Sequence, residues 1–135
     1  MKIYLTTPIY YVNAYPHLGH AYTTIIVDTL ARFYNLKNWQ VFFLTGTDEH
    51  GDKIQKSAKD KGKNPQDFVD EISSFFKQTW DYFGITYNRF IRTTFKEHKK
   101  EVQYVLQRLY EKGEIYLDEY EGYYCFGCER FLTSK

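Results

Sequence analysis

The segment Pro8-Ile-Tyr-Tyr-Val-Asn-Ala-Tyr-Pro-His-Leu-Gly-His20 decides how this chain is read. A short apolar stretch, Ile3 to Leu5, precedes it, and an amphipathic stretch reaching Leu36 follows. The order is strand, tight loop, helix start. Pro16 keeps Tyr15 extended or turning and suits the first turn of a helix. His17 and His20 are three apart, so a helical turn puts them on one face. Gly19 has no side chain, which lets a flat ligand approach the backbone. A helix N-terminus adds unpaired N–H groups and the positive end of a dipole, both suited to an anion. Two imidazoles at such a terminus make a candidate polyphosphate site. The same residues also read as partly solvated helix caps, or as an i, i+3 metal chelate, and the segment alone leaves the three open.

Outward from this segment, Lys2 to Thr7 reads as a strand stopped by Pro8, and Leu18 to Leu36 as a helix. Val41-Phe-Phe-Leu44, bounded by Gly46, is a continuous apolar run expected to form a fully buried parallel strand. Strand, helix and strand make a βαβ unit. Asp48-Glu-His-Gly51 leaves the second strand, and a helix follows to about Lys61, stopped by Gly62. Asn64-Pro65 opens the next helix as N-cap and first residue. Its apolar face is Phe68, Ile72, Phe75, Phe76, Trp80 and Phe83. Arg89 to Arg92 reads as a third strand, and Thr94 with Glu97 has capping-box spacing before a helix carrying Val102, Val105, Leu106 and Leu109. From Glu114 the texture changes to strand-like aromatics, Ile115 to Tyr124, and then Cys125-Phe-Gly-Cys128.

At 135 residues the chain holds one domain with a real core. A net charge of +1 gives no general basic field for nucleic acid, though a local patch remains open. The 14 Tyr and 11 Phe set it apart from disordered segments. No apolar run approaches membrane-span length and no signal-peptide pattern opens the chain, so no membrane association is expected. Its two cysteines fit a reducing, cytoplasmic compartment, with the pair serving metal or redox chemistry.

Ligands of a parallel sheet bind outside the carboxyl ends of its strands. The Pro8–His20 and Asp48–Gly51 loops both leave strands at that end. If their strands are neighbours, His17, His20, Asp48, Glu49 and His50 line one crevice. No serine, cysteine or lysine nucleophile stands out there. The chemistry is then positional and electrostatic, as in phosphoryl-type transfer.

These motifs are recognisable. His17-Leu-Gly-His20 resembles the HIGH signature of class I aminoacyl-tRNA synthetases. Thr7-Pro-Ile-Tyr-Tyr-Val-Asn13, Thr45-Gly-Thr-Asp-Glu-His-Gly51 and Cys125-x-x-Cys-Glu-Arg-Phe131 together resemble the methionyl-tRNA synthetase family, and the similarity covers essentially the whole chain. The resemblance implies the first half of a doubly wound parallel, Rossmann-like fold over 1–113, then the start of a zinc-knuckle connective insertion over 114–135. It implies activation of methionine by ATP with Mg2+ and transfer to tRNA(Met). His17 and His20 are then catalytic and bind ATP with Gly19 and Gly46. Ile9, Tyr11 and Asp48 bind methionine, Asp48 through the ammonium. Cys125 and Cys128 are half of a structural zinc site whose other ligands lie beyond Lys135. The family's Lys-Met-Ser-Lys-Ser loop is absent, and Leu132-Thr-Ser-Lys135 is not it. This implies an N-terminal piece, inactive alone, whose partner is the missing C-terminal half or a second subunit. Two readings compete with it. One is a metal-dependent hydrolase using His17, His20, Asp48 and His50. The other is a non-catalytic interaction fragment.

Overall fold

The structure is a computed structural model that describes residues 1–132. Residues 133–135, the end of the expected 114–135 domain and of the Leu132–Lys135 stretch, lie outside the described residues. Two compact units follow one another, Met1–His98 and Lys99–Lys135.

The first unit is a parallel sheet with helical crossovers. Strand β1 (Lys2–Thr6) leads through β2 (Tyr10–Tyr11) into α1 (Leu18–Leu36) and the central strand β3 (Gln40–Asp48). Helices α2 (Asp52–Asp60) and α3 (Pro65–Tyr82) then lead to β4 (Arg89–Arg92). Leu44 pairs with Thr6 on one side and Arg89 on the other, so β1 and β4 flank β3. Thr47 likewise lies between Tyr10 and Arg92, so β2 continues the edge that β1 begins.

That edge carries an insertion. Thr6 faces Leu44 and Tyr10 faces Thr47. Three residues, Thr7, Pro8 and Ile9, therefore stand opposite two, Thr45 and Gly46. Pro8 has no N–H to give the ladder, and a bulge is where a strand tolerates that loss. The bulge shifts the alternation by one, so Tyr10 and Val12 take the face of Leu5, Phe43, Thr45 and Thr47. A hydrogen bond of 2.7 Å between the Thr7 and Thr45 hydroxyls closes the gap on this face.

Both crossovers cover that face. Tyr10 and Val12 join Ala21 of α1, Ile54 and Ala58 of α2, and Phe68, Val69, Ile72, Phe76 and Trp80 of α3 in one core cluster. Gly62 and Gly84 end α2 and α3 at φ +64° and +65°, the left-handed region that glycine enters without penalty. The Asn64 side chain accepts the Gln66 N–H, with Pro65 at the first helical position. The opposite face carries no such cover: Tyr4 is 59% and Phe42 45% exposed. Val41–Leu44 is thus not buried on both faces as its apolar run implied; only its alternate residue Phe43 reaches full burial.

β3 also runs past Gly46 to Asp48, which the sequence placed in a loop. The neighbouring strand supplies the reason. A Cβ on Gly46 would lie 2.0 Å from the Ile91 carbonyl oxygen, so glycine is what lets β4 pair there. Thr94 does not cap with Glu97; its hydroxyl bonds Glu49 instead.

Helix α4 (Lys96–Glu111) continues into the second unit. Val102, Val105, Leu106 and Leu109 keep their helical spacing, yet none is buried. Within this unit Ile115 to Tyr123 is not strand among the described residues. The pairing is a short antiparallel hairpin of β5 (Tyr124–Cys125) and β6 (Arg130–Phe131), packed by edge-on contacts of Tyr120 and Tyr124 with Phe131.

Candidate functional site

The crevice forms because β2 pairs with the last two residues of β3, which brings the loop entering α1 beside the turn leaving β3. At the α1 entrance, His17 is the N-cap, with extended backbone at φ −132°. Its Nδ1 accepts the Gly19 N–H at 3.1 Å. The Nδ1 of His20 accepts the His17 N–H at 3.2 Å. This is a reciprocal capping box made by two histidines. The capping reading is therefore realised, and it has a chemical consequence. A ring nitrogen that accepts a backbone N–H carries no proton, so each neutral imidazole holds its proton on Nε2. The rings stack with centroids 3.7 Å apart. Two Nε2–H donors thus stand together at the positive end of a helix. Gly19 makes the arrangement fit: a Cβ there would sit 3.0 Å from His17 Cε1.

His20 is held from beneath by the core. Its ring lies 4.9 Å from Tyr10 and 5.1 Å from Phe76, centroid to centroid. The Tyr10 hydroxyl shares a 2.7 Å hydrogen bond with Thr24 and reaches the His20 carbonyl at 3.3 Å. Burial lowers the His20 pKa from 6.5, and the His17 charge lowers it further. Burial raises the Tyr10 pKa, with bonds to Thr24 and Thr7 pulling the other way. Burial thus favours the neutral, donor-bearing form of the His20 ring.

At the end of β3 the strand alternation separates two carboxylates. Asp48 is half-buried and lies in register with Tyr11, so both occupy the face opposite the core cluster. Its carbonyl accepts the Val12 N–H at 3.2 Å. Ile9, in the bulge, is exposed. Glu49 turns the other way and is only 4% exposed. It accepts from Thr47 at 2.7 Å, from Arg92 Nε at 2.7 Å and Nη2 at 3.0 Å, and from Thr94. Arg92 also bonds Asp70 of α3. Burial works against the Arg92 charge, but the bonds to Glu49 and Asp70 more than offset it and raise its pKa. Glu49 is thus not open to the crevice, as its place in the motif implied. Arg92, Asp70 and Tyr10 were missed in the sequence. The one signal in the sequence concerned Glu49 itself, which follows Phe43, Thr45 and Thr47 at spacing two.

His50 is exposed, with Nε2 3.4 Å from the Thr93 carbonyl. It borders a pocket of about 180 Å³ with Glu49, Gln55, Gln66 and Thr94. Among the described residues no three His, Cys, Asp or Glu side chains are grouped to hold a metal ion. The metal-ligand reading of His17, His20, Asp48 and His50 is therefore not realised. Gly46 is buried under Ile91, and its close fit serves strand pairing. In the second unit Cys125 is half-buried and Cys128 exposed, at the turn of the β5–β6 hairpin. Two thiols fall short of the four donors of a structural zinc site.

Comparison with known proteins agrees with this geometry. The family model for class I tRNA synthetases (M) matches residues 3–135. The methionine–tRNA ligase of Campylobacter jejuni is 56% identical over 132 residues, which are 98% of this chain and 21% of that protein. The Thermotoga maritima ligase is 50% identical over 134 residues, 99% of this chain and 21% of its own length. The Mycobacterium tuberculosis methionyl-tRNA synthetase in complex with methionyl-adenylate superimposes with a TM-score of 0.92 at 41% identity, over 97% of this chain and 26% of that one. The chain spans about a fifth of the length of the curated relatives it matches. With its histidine-capped helix at the mouth of a parallel sheet and a family match along nearly its whole length, the chain belongs to the class I tRNA synthetases of the methionine type.

Proposed function

We propose that this chain supplies the HIGH half of a methionine-activating site, in which methionine and ATP become methionyl-adenylate and pyrophosphate. A methionine carboxylate oxygen attacks the α-phosphorus, the bond to the β-phosphate bridging oxygen breaks, and pyrophosphate leaves. His17 and His20 donate through Nε2–H to phosphate oxygens as charge shifts onto the leaving group, and the α1 N-terminus adds its dipole. Gly19 leaves room for adenine at the backbone, and Gly46 keeps the strand end beneath it close-packed. Asp48 pairs with the methionine ammonium while Tyr11 and Ile9 line the side-chain pocket, where a thioether gains from aromatic contact. Magnesium accompanies ATP as its counter-ion.

The observation that carries this reading is the histidine capping box, which fixes both Nε2–H donors at one helix terminus. The adenylate held by the similar Mycobacterium protein supports the same chemistry. Transfer to tRNA(Met) is proposed for the chain accompanied by the further sequence its relatives carry. Within that reading, 1–113 is the first half of the catalytic domain, of doubly wound type. Residues 114–135 begin the connective insertion, with Cys125 and Cys128 as half of its zinc site. A cytoplasmic compartment belongs to the same reading. No described helix is long and apolar enough to cross a membrane.

The test is a chimera in which this chain replaces the matching segment of the Campylobacter jejuni ligase. ATP–pyrophosphate exchange should require methionine and be negligible with leucine or valine. Exchange driven equally by all three amino acids, or none with any, overturns the reading.

A further inference from the structure

We propose that Glu49 and Arg92 are a positioning pair that aims Asp48 at the amino-acid substrate without touching it. The inference rests on the reading of Asp48 as the ammonium partner. Three observations carry it. The backbone on each side of Asp48 is bolted down: the Glu49 N–H donates to the Thr93 hydroxyl at 2.9 Å, the Thr93 N–H to the Thr47 carbonyl at 3.3 Å, and the Val12 N–H to Asp48 itself. The Glu49 carboxylate, with no side-chain exposure, is gripped by both arms of the Arg92 guanidinium. The same guanidinium bonds Asp70 on α3 and lies 5.6 Å from the Phe95 ring, so one side chain ties the ends of β3, β4 and α3 together.

The chemistry follows from strand parity. Residues 48 and 49 point to opposite faces, so fixing Glu49 in its slot fixes the direction of Asp48. The pair also sorts charge. Two adjacent carboxylates would compete for one ammonium. Arg92 neutralises Glu49 inside the fold, and Asp48 presents its charge to the substrate side. Bidentate geometry is the reason for arginine here, because lysine cannot grip both carboxylate oxygens and Asp70 together. Ser73 supports the arrangement by sharing a 2.9 Å bond with the Thr47 hydroxyl that also serves Glu49.

The chimera described above tests this. Glu49→Gln keeps shape and removes charge, leaving the buried Arg92 grip half-matched and the turn that aims Asp48 less firmly held. The methionine KM should rise about tenfold or more, with the ATP KM and kcat changing by less than about threefold. Arg92→Lys should give a smaller rise of the same kind. The double variant Glu49→Gln/Arg92→Gln, uncharged and able to hydrogen-bond, should recover most of the methionine KM, because the penalty lies in an unmatched charge. An unchanged methionine KM in Glu49→Gln, with the parent chimera active, overturns the proposal. So does equal loss for both substrates with no recovery in the double variant, which marks a merely structural role. A parent chimera inactive with methionine refutes the functional reading instead. The positioning claim is then decided in the 135-residue chain by amide exchange. Glu49→Gln should speed exchange at Asp48–Gly51 about tenfold while Ile25–Ala31 stay protected, and unchanged exchange overturns it.

Discussion

Gly46→Ala puts the packing of the central strand to a quantitative test. The added Cβ lies 2.0 Å from the Ile91 carbonyl oxygen, 2.8 Å from its carbonyl carbon and 2.6 Å from Cγ2. Ordinary contact requires at least about 1 Å more, and two of the three atoms are backbone, so no rotamer change relieves the clash. β4 has to move away from β3. Overpacking of this kind costs about 1–3 kcal/mol. Weakening the ladder at Gly46–Ile91 and its neighbour adds about 0.5–1.5 kcal/mol per bond. The alanine recovers about 0.4–1 kcal/mol through the unfolded chain. A net loss of about 3 kcal/mol is expected, a large share of the roughly 5–15 kcal/mol that holds a domain folded. Urea unfolding of the 135-residue chain, followed by the fluorescence of fully buried Trp80, measures it. A loss below about 0.5 kcal/mol, within the range of an innocuous surface change, would refute the packing argument. If such a variant also lost ATP affinity in the chimera, Gly46 would act through the ligand alone.

Further outcomes follow from the site. His20 has a folded pKa below its ordinary 6.5, so the neutral form is favoured by folding. Its stabilising contribution should be complete above that value and lost as pH falls through the lowered pKa; Tm against pH for the chain and for His20→Gln should show this slope only in the parent. Protonating Nδ1 also destroys the capping bonds, so exchange activity of the chimera should fall on the same acid limb. Gly19→Ala should push the His17 ring from its cap and reduce exchange by about a hundredfold if one oxyanion donor is lost, with Tm reporting the smaller loss of the cap. Tyr10→Phe removes one bond to Thr24 beneath His20; a loss of about 1 kcal/mol in urea unfolding is expected. Asp48→Asn should raise the methionine KM with little change in that for ATP, measured by exchange in the chimera.

Much of this was legible in the residues. Helical spacing of its apolar residues placed α1 at Leu18–Leu36, although Pro16 stands before the His17 cap and not in the first turn, and Asn64-Pro65 with Gly84 bracketed α3, because caps and stops are local chemistry. Arg89–Arg92 was placed as a strand as well. What escaped were properties that depend on neighbours. The run of β3 through Gly46 is set by Ile91 on another strand, and a reader of the motif sees only a glycine. The inward turn of Glu49 depends on that extension, which carries the alternation of β3 up to Asp48 beside it. Thr94 looked like a cap because its spacing suits one, but a buried carboxylate offers its hydroxyl a stronger partner. The pairing of Tyr10–Tyr11 with β3 needed the bulge, which proline announces without saying where the ladder resumes.

The bulge makes the number of side chains facing Asp48 adjustable independently of the core. Removing one residue from Thr7–Ile9 would leave a regular ladder in which the residue now numbered Tyr10 still meets Thr47, with its ring still beneath His20. Only the crowding on the opposite face would change. A chain built this way can vary the face that carries Tyr11 and Asp48 by loop length, one residue at a time, where varying it by substitution would disturb a packed aromatic cluster.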